Sequence, residues 1–194
     1  MSLTLASKSA SRTALLRAAG VDFDTADSGV DEGATKGRIL IEGPKAVAEA
    51  LAREKALAVA GRTTGLVIGA DQTLDLAGEL YDKAASMGEA RERLQTFRGR
   101  THQLHSAVAV AEDDQIVWAE TVSATLVMRR FSDAWLDGYL ERAGPQVLGS
   151  VGCYQLEGEG VQLFESIDGD YFTILGLPLI GLLDLLRRYG ALAL

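Results

Sequence analysis

The sequence predicts a mixed α/β fold, and three observations carry that prediction. Apolar or β-branched runs alternate with segments of helical spacing along the chain. One run, "LVIGA", is apolar throughout, as a strand covered on both faces would be. Two longer runs, His102–Ala111 and Ile116–Met128, flank the acidic turn "EDDQ" and read as an antiparallel pair attached to that more buried sheet.

Taken in order, the opening "LTLASKSASRTALLRAAG" reads as a short strand, a polar turn and a helix ending at Gly20. Ser9 or Ser11 can cap this helix, and Leu15, Leu16 and Ala19 give it an inward face. A loop-like stretch with several Gly and Asp follows to Gly43. Pro44 then opens the helical segment "PKAVAEALAREKALAVA", with Val47, Leu51 and Val59 inward and Gly61 closing it. The "LVIGA" strand ends in Asp71, and "TLDLAGELYD" reads as a hairpin turning at Ala77–Gly78. "SMGEARERLQTF" begins with a capping box, Ser86 with Glu89. After the long pair, "SDAWLDGYLERAG" reads as a helix, "VQLFESIDGDYFTI" as further strand, and Pro178 to Tyr189 as a closing amphipathic helix. No repeat or linker divides the chain, so residues 1–194 are expected to form one domain.

Composition excludes several classes. With 19 basic and 27 acidic side chains the net charge is −8, a field that repels nucleic-acid backbones and anionic membranes. A single cysteine, Cys153, rules out an intramolecular disulfide, and no basic leader with an apolar core precedes the first strand, so a cytoplasmic setting is expected. The apolar stretch "ILGLPLIGLLDLL" is broken by Pro178 and Asp184 and is too short to span a membrane. Neither GxxxxGK[ST] nor GxGxxG is present. His102 and His105 are three apart on a strand, point to opposite faces and make no ready zinc pair.

Chemistry concentrates elsewhere. The turn "SKSASR" places Ser7, Lys8, Ser9, Ser11 and Arg12 where a strand gives way to a helix N-terminus, which serves either simple capping or phosphate binding. Lys55 in the alanine-rich helix, Lys83 after the hairpin, and the acids Asp31, Glu32 and Asp71 read singly as solvated or turn-forming groups. Converging on one pocket, they would supply what phosphate chemistry needs: cations to neutralise oxygens, and carboxylates to hold a metal and activate water.

The fragments "LASKSASRTALL", "VDE", "AREKALAVA", "VIGADQTLDLAGELYDK", "FRGRTHQLHSAVAV", "VGCYQLEG" and "IDGDYFTILGLPL" occur in one order over about Leu3 to Leu192. Together they resemble the Maf family of nucleoside triphosphate pyrophosphatases. The resemblance implies an α/β fold related to the inosine-triphosphate pyrophosphatases: an elongated mixed sheet flanked by helices, two lobes with a central cleft, and a homodimer. It implies hydrolysis of a nucleoside triphosphate to the monophosphate and pyrophosphate with a divalent cation, Mg²⁺ or Mn²⁺. It further implies Asp71 as proton acceptor, Glu32 and Asp71 as metal ligands, and Ser7, Ser9, Arg12, Lys55 and Lys83 as substrate contacts.

The likeness has gaps. The family's "SPRR" is "SASR" here, with Ala10 and Ser11 replacing proline and the first arginine; Lys-Pro is Lys83–Ala84; and Ser150 stands where a basic residue is usual. Gln72 and Glu157 resemble the subgroup acting on 7-methyl-GTP, which makes both candidate substrate contacts. Guanine presents N1–H and N2–H₂ donors that a carboxylate accepts bidentately, and N7-methylation adds positive charge. The alternative reading is a non-catalytic nucleotide-binding regulator of division and septum formation. A positioned base, which mere binding does not need, separates the two. An RNA-binding module is disfavoured by the charge and by the lack of a basic stripe with interleaved aromatics.

Overall fold

The computed structural model describes residues 2–193. Seven strands form one sheet: β1 (Leu3–Ala6), β2 (Asp24–Thr25), β3 (Leu66–Leu76), β4 (Glu79–Tyr81), β5 (Thr101–Glu112), β6 (Gln115–Met128) and β7 (Phe164–Asp168). Their order is β2-β1-β3-β5-β6-β7, with β4 paired to β3. β1 runs parallel to both β2 and β3, whereas every later pairing is antiparallel. The sheet is therefore mixed, as the sequence predicts.

Among the described residues seven α-helices flank it: α1 (Ala10–Ala18), α2 (Glu32–Ile39), α3 (Pro44–Ala60), α4 (Met87–Phe97), α5 (Asp133–Ala143), α6 (Tyr171–Ile174) and α7 (Leu179–Arg188). Their starts follow the expected chemistry. The Ser9 side chain caps α1 and that of Ser132 caps α5, while Pro44 opens α3. The α4 capping box forms in a shifted version: Ser86 Oγ accepts from Glu89 N–H at 3.2 Å, and the Glu89 carboxylate reaches back to Ala85 N–H at 2.9 Å.

Strand parity divides the core. On one face of β3 and β5, Val67, Ala107, Ala109 and Ala111 meet the alanine stripe Ala48, Ala52 and Ala56 of α3. On the other face, Leu66, Ile68, Ala70, Val108 and Val110 pack under α1 and α7. Further along that second face, Leu74, Leu104 and Leu126 pack under α4 and α5 with Phe97 and Tyr139. The turn Ala77–Gly78 has both residues at positive φ (58° and 89°), the geometry of a tight hairpin turn. His102 and His105 do face opposite sides: His102 stacks on Phe97 in the α4–α5 core, and His105 bonds Ser123 on the α3 side.

Three local expectations change. Residues 32–39 are helical rather than loop-like, because Asp31 caps the segment by accepting from Ala34 N–H and Glu32 pairs with Lys36 one turn on. Only Thr35 is buried in α2, so apolar periodicity carries no trace of it. "VQLFESIDGDYFTI" is strand only over Phe164–Asp168, with a 3-10 turn at Glu159–Leu163 before it and α6 after it. Asp71 lies inside β3 rather than at its end, since antiparallel β5 pairs with β3 as far as Asp75. It does mark the limit of the parallel pairing: β1 stops at Ala6, opposite Gly69, two residues before Asp71.

Candidate active site

Where β1 stops, the chain turns through Ser7–Ser9 into α1 and leaves a cleft of about 690 Å³. Ser7, Ser9, Arg12, Glu32, Lys55, Asp71, Gln72, Lys83 and Glu157, which come from six separate stretches of sequence, all line it. Five cationic side chains (Lys8, Arg12, Lys36, Lys55 and Lys83) outnumber four acids (Glu32, Asp71, Asp82 and Glu157) there. In a chain of net charge −8, this is a local reversal suited to an anionic ligand that carries a metal.

Lys55 Nζ stands at the centre, 2.6 Å from Asp71 Oδ1 and 2.6 Å from Glu32 Oε1. Asp71 and Lys55 are both buried, and Glu32 is half-exposed at the rim. Gly69 makes this geometry possible. A Cβ there would lie 2.2 Å from Ala52 C=O and 2.5 Å from Ala56 N, so α3 approaches β3 with no side chain between them. That approach brings Lys55 within reach of Asp71, two residues along the same face of β3.

Arg12 is also buried. Its Nε donates to Gly176 C=O at 2.8 Å and its Nη1 to Ser7 Oγ at 3.3 Å, which ties the β1–α1 turn to the segment after α6. Burial lowers its pKa, while the charges of Asp71 and Glu32 work in the opposite direction. For Glu32, burial pushes the pKa up, but the hydrogen bond and charge of Lys55, with help from Lys36 and Arg12, bring it below its ordinary value. Burial is the largest influence on Lys36 and lowers it, but its bond to Asp82 at 2.5 Å and the charges of Asp82, Glu32 and Asp71 together outweigh that, so the net shift is upward.

Gln72 is braced. Its Nε2 donates toward Ser106 Oγ at 2.9 Å and the carbonyls of Thr173 and Ile174 at 3.1 and 3.0 Å. Ser106 Oγ in turn donates to Thr173 C=O at 2.7 Å, which leaves its lone pairs to the Gln72 amide. The Gln72 amide donors are thus spent on the fold. Only its carbonyl oxygen is left for a ligand. Lys83 and Glu157 are exposed at the cleft wall.

Among the described residues no group of three or more His, Cys, Asp or Glu side chains is placed to hold a metal. Mg²⁺ is commonly held by one or two carboxylates, with substrate phosphate and water completing its shell. That smaller donor set is present: Glu32 and Asp71 share Lys55 on the cleft wall. The residues fit such a cation.

A family model described as "Maf-like protein" matches residues 2–189. The chain belongs to the Maf-like family. A relative from Caulobacter vibrioides named "Nucleoside triphosphate pyrophosphatase" is 59% identical over 192 residues, covering 98% of this chain and 96% of the relative. A Brucella suis relative named "7-methyl-GTP pyrophosphatase" is 49% identical over 189 residues, covering 96% and 95%. One from Rhizobium meliloti with the same name as the Brucella protein is 46% identical over 193 residues, covering 98% and 97%.

In this Maf-like chain, Lys36 and Asp82 are cleft residues that the sequence reading leaves out. The signal for Lys36 was available in the Glu32/Lys36 spacing of a charged helical turn. Asp82 carries no such signal, because its partner lies 46 residues away.

Proposed function

We propose that this protein hydrolyses nucleoside triphosphates to the monophosphate and pyrophosphate, with Asp71 as general base and a guanine nucleotide of the 7-methyl-GTP type as substrate. The observation that carries the reading is the Lys55 bridge, a buried carboxylate–ammonium pair opening onto a cleft with surplus positive charge. A regulator that only binds nucleotide has no need to bury a carboxylate at the bottom of such a cleft.

Lys55 occupies Asp71 Oδ1 and leaves Oδ2 to accept a proton from water. The water oxygen bonds to the α-phosphorus while the bond from that phosphorus to the bridging oxygen breaks, and pyrophosphate departs. Arg12, Lys36 and Lys83 line the wall where its charge develops. Glu32, with Asp71 through the oxygen it shares with Lys55, would hold a divalent cation, Mg²⁺ or Mn²⁺, whose chemistry there would be to neutralise charge on the triphosphate. Glu157 accepts from the N1–H and N2–H₂ of guanine, and the Gln72 carbonyl adds a second acceptor.

The test is a panel of normal and N7-methylated nucleoside triphosphates with Mg²⁺ or Mn²⁺, reading pyrophosphate against orthophosphate. Pyrophosphate release fastest with 7-methyl-GTP is expected; orthophosphate alone would show that a different bond is cut. Asp71→Asn should lower kcat by about two to four orders of magnitude while nucleotide affinity stays close to wild type. Turnover at the wild-type rate in that variant would remove Asp71 as base. Glu157→Gln should narrow the preference for 7-methyl-GTP over UTP, read as the ratio of kcat/KM.

A further inference from the structure

Two irregular segments wall the cleft beside Lys83 and Glu157: residues 82–86, between β4 and α4, and residues 150–157, after the 3-10 turn Gly144–Gly149. Neither belongs to a helix or strand that would hold it in place. One side chain behind the wall bonds to both. Arg93, on α4, is only 8% exposed. Its Nη1 donates to Val151 C=O at 3.0 Å and also to Asp82 C=O. Its Nη2 donates to the Glu89 carboxylate at 2.8 Å, and the other oxygen of that carboxylate takes Ala85 N–H at 2.9 Å. The guanidinium lies over the Tyr81 ring, with its carbon 5.7 Å from the centroid.

We propose that Arg93 is a positioning residue for the nucleotide: its planar fork clamps the Lys83 segment to the Ser150–Glu157 segment and so sets the spacing between them. The inference rests on the pyrophosphatase reading above. It explains why a full positive charge is buried behind the wall and not on it. Two carbonyls and a carboxylate take both ends of the planar guanidinium fork, a spread of donors that the single nitrogen of a lysine does not reproduce. The tie extends further. The Asp82 carboxylate takes Lys36 Nζ at 2.5 Å, and Lys36 lies 3.8 Å from Glu32, so the clamped segment is linked to the acid end of the Lys55 bridge.

The test compares Arg93→Met and Arg93→Lys with Leu182→Ala, a core change on the inward face of α7 that lowers the melting temperature without touching either segment. In both Arg93 variants KM for the triphosphate should rise about tenfold or more, because displaced contacts weaken binding. Their kcat should stay within about threefold of wild type, and Leu182→Ala should leave KM unchanged. Amide exchange should quicken over 82–86 and 150–157 together in Arg93→Met, and in Arg93→Lys should Arg93→Met not fold. A KM within about twofold of wild type, or faster exchange in only one segment, would overturn the clamp. A wild-type protein that releases no pyrophosphate would instead overturn the proposed function, and the exchange measurement would still decide the clamp.

Discussion

Lys55 shows how little a residue's type says about its work. In the sequence it is one lysine in an alanine-rich helix, and solvent is the usual place for such a group. In the fold it is buried between two carboxylates that come from stretches 23 residues before it and 16 residues after it. Desolvating such a trio is costly, and only the mutual hydrogen bonds offset that cost. Lys55→Met should therefore destabilise the protein by about 3 kcal/mol, since Asp71 would remain buried without its counter-charge. Adding Asp71→Asn to that variant should recover part of the loss, and urea denaturation of the four members of this cycle measures the coupling. Full additivity would mean that the pair contributes nothing as a pair.

At the scale of elements, the strongest patterns were legible. The leucines of α7 at 179, 182, 185 and 186 face inward as its spacing predicts, and α3 begins and ends at the expected Pro44 and Ala60. α2 was not legible, because a helix that buries one threonine has no apolar stripe to find. The contact of α3 with β3 depends on residues without bulk. Gly69→Ala should destabilise by about 1–3 kcal/mol through overpacking against Ala52 and Ala56, read as a lower denaturation midpoint. The same variant should lose turnover out of proportion to its stability, because α3 moved outward carries Lys55 away from Asp71. Full activity in a Gly69→Ala protein would sever that link between packing and chemistry.

For the whole molecule, acid sensitivity follows from buried imidazoles. Burial holds the His102 pKa at about 4, against the ordinary 6.5, with the ring against Phe97 and Nε2 at 2.8 Å from Tyr154 Oη. His102 Nδ1 is buried with no hydrogen-bond partner among the described residues, so a second ring N–H would find no acceptor there. Burial lowers His105 as well, with Asp75 opposing. Between pH 6.5 and 4 the unfolded chain therefore binds more protons than the folded one, and stability falls as pH falls. His102 alone should account for about 3 kcal/mol across that window. His102→Gln should flatten the slope in denaturation curves taken at intervals from pH 7 to 4. Glu32, whose pKa is depressed, loses its contribution in a lower window, as pH falls through its folded value, which keeps the two effects separable.

Apart from α2 and α6, the order of elements, the inward faces of α1 and α3, the caps at Ser9 and Ser86 and the pool of charged side chains were written in the chain, because each depends on neighbours a few residues apart. Tertiary structure alone decided which of those charges meet. Lys55 joins Glu32 and Asp71 only because a glycine in β3 admits α3 closely, and Arg93 joins two segments only because both bend back to α4. Charge pairing falls off over a few ångströms, and spacing along a sequence does not specify distance across a fold.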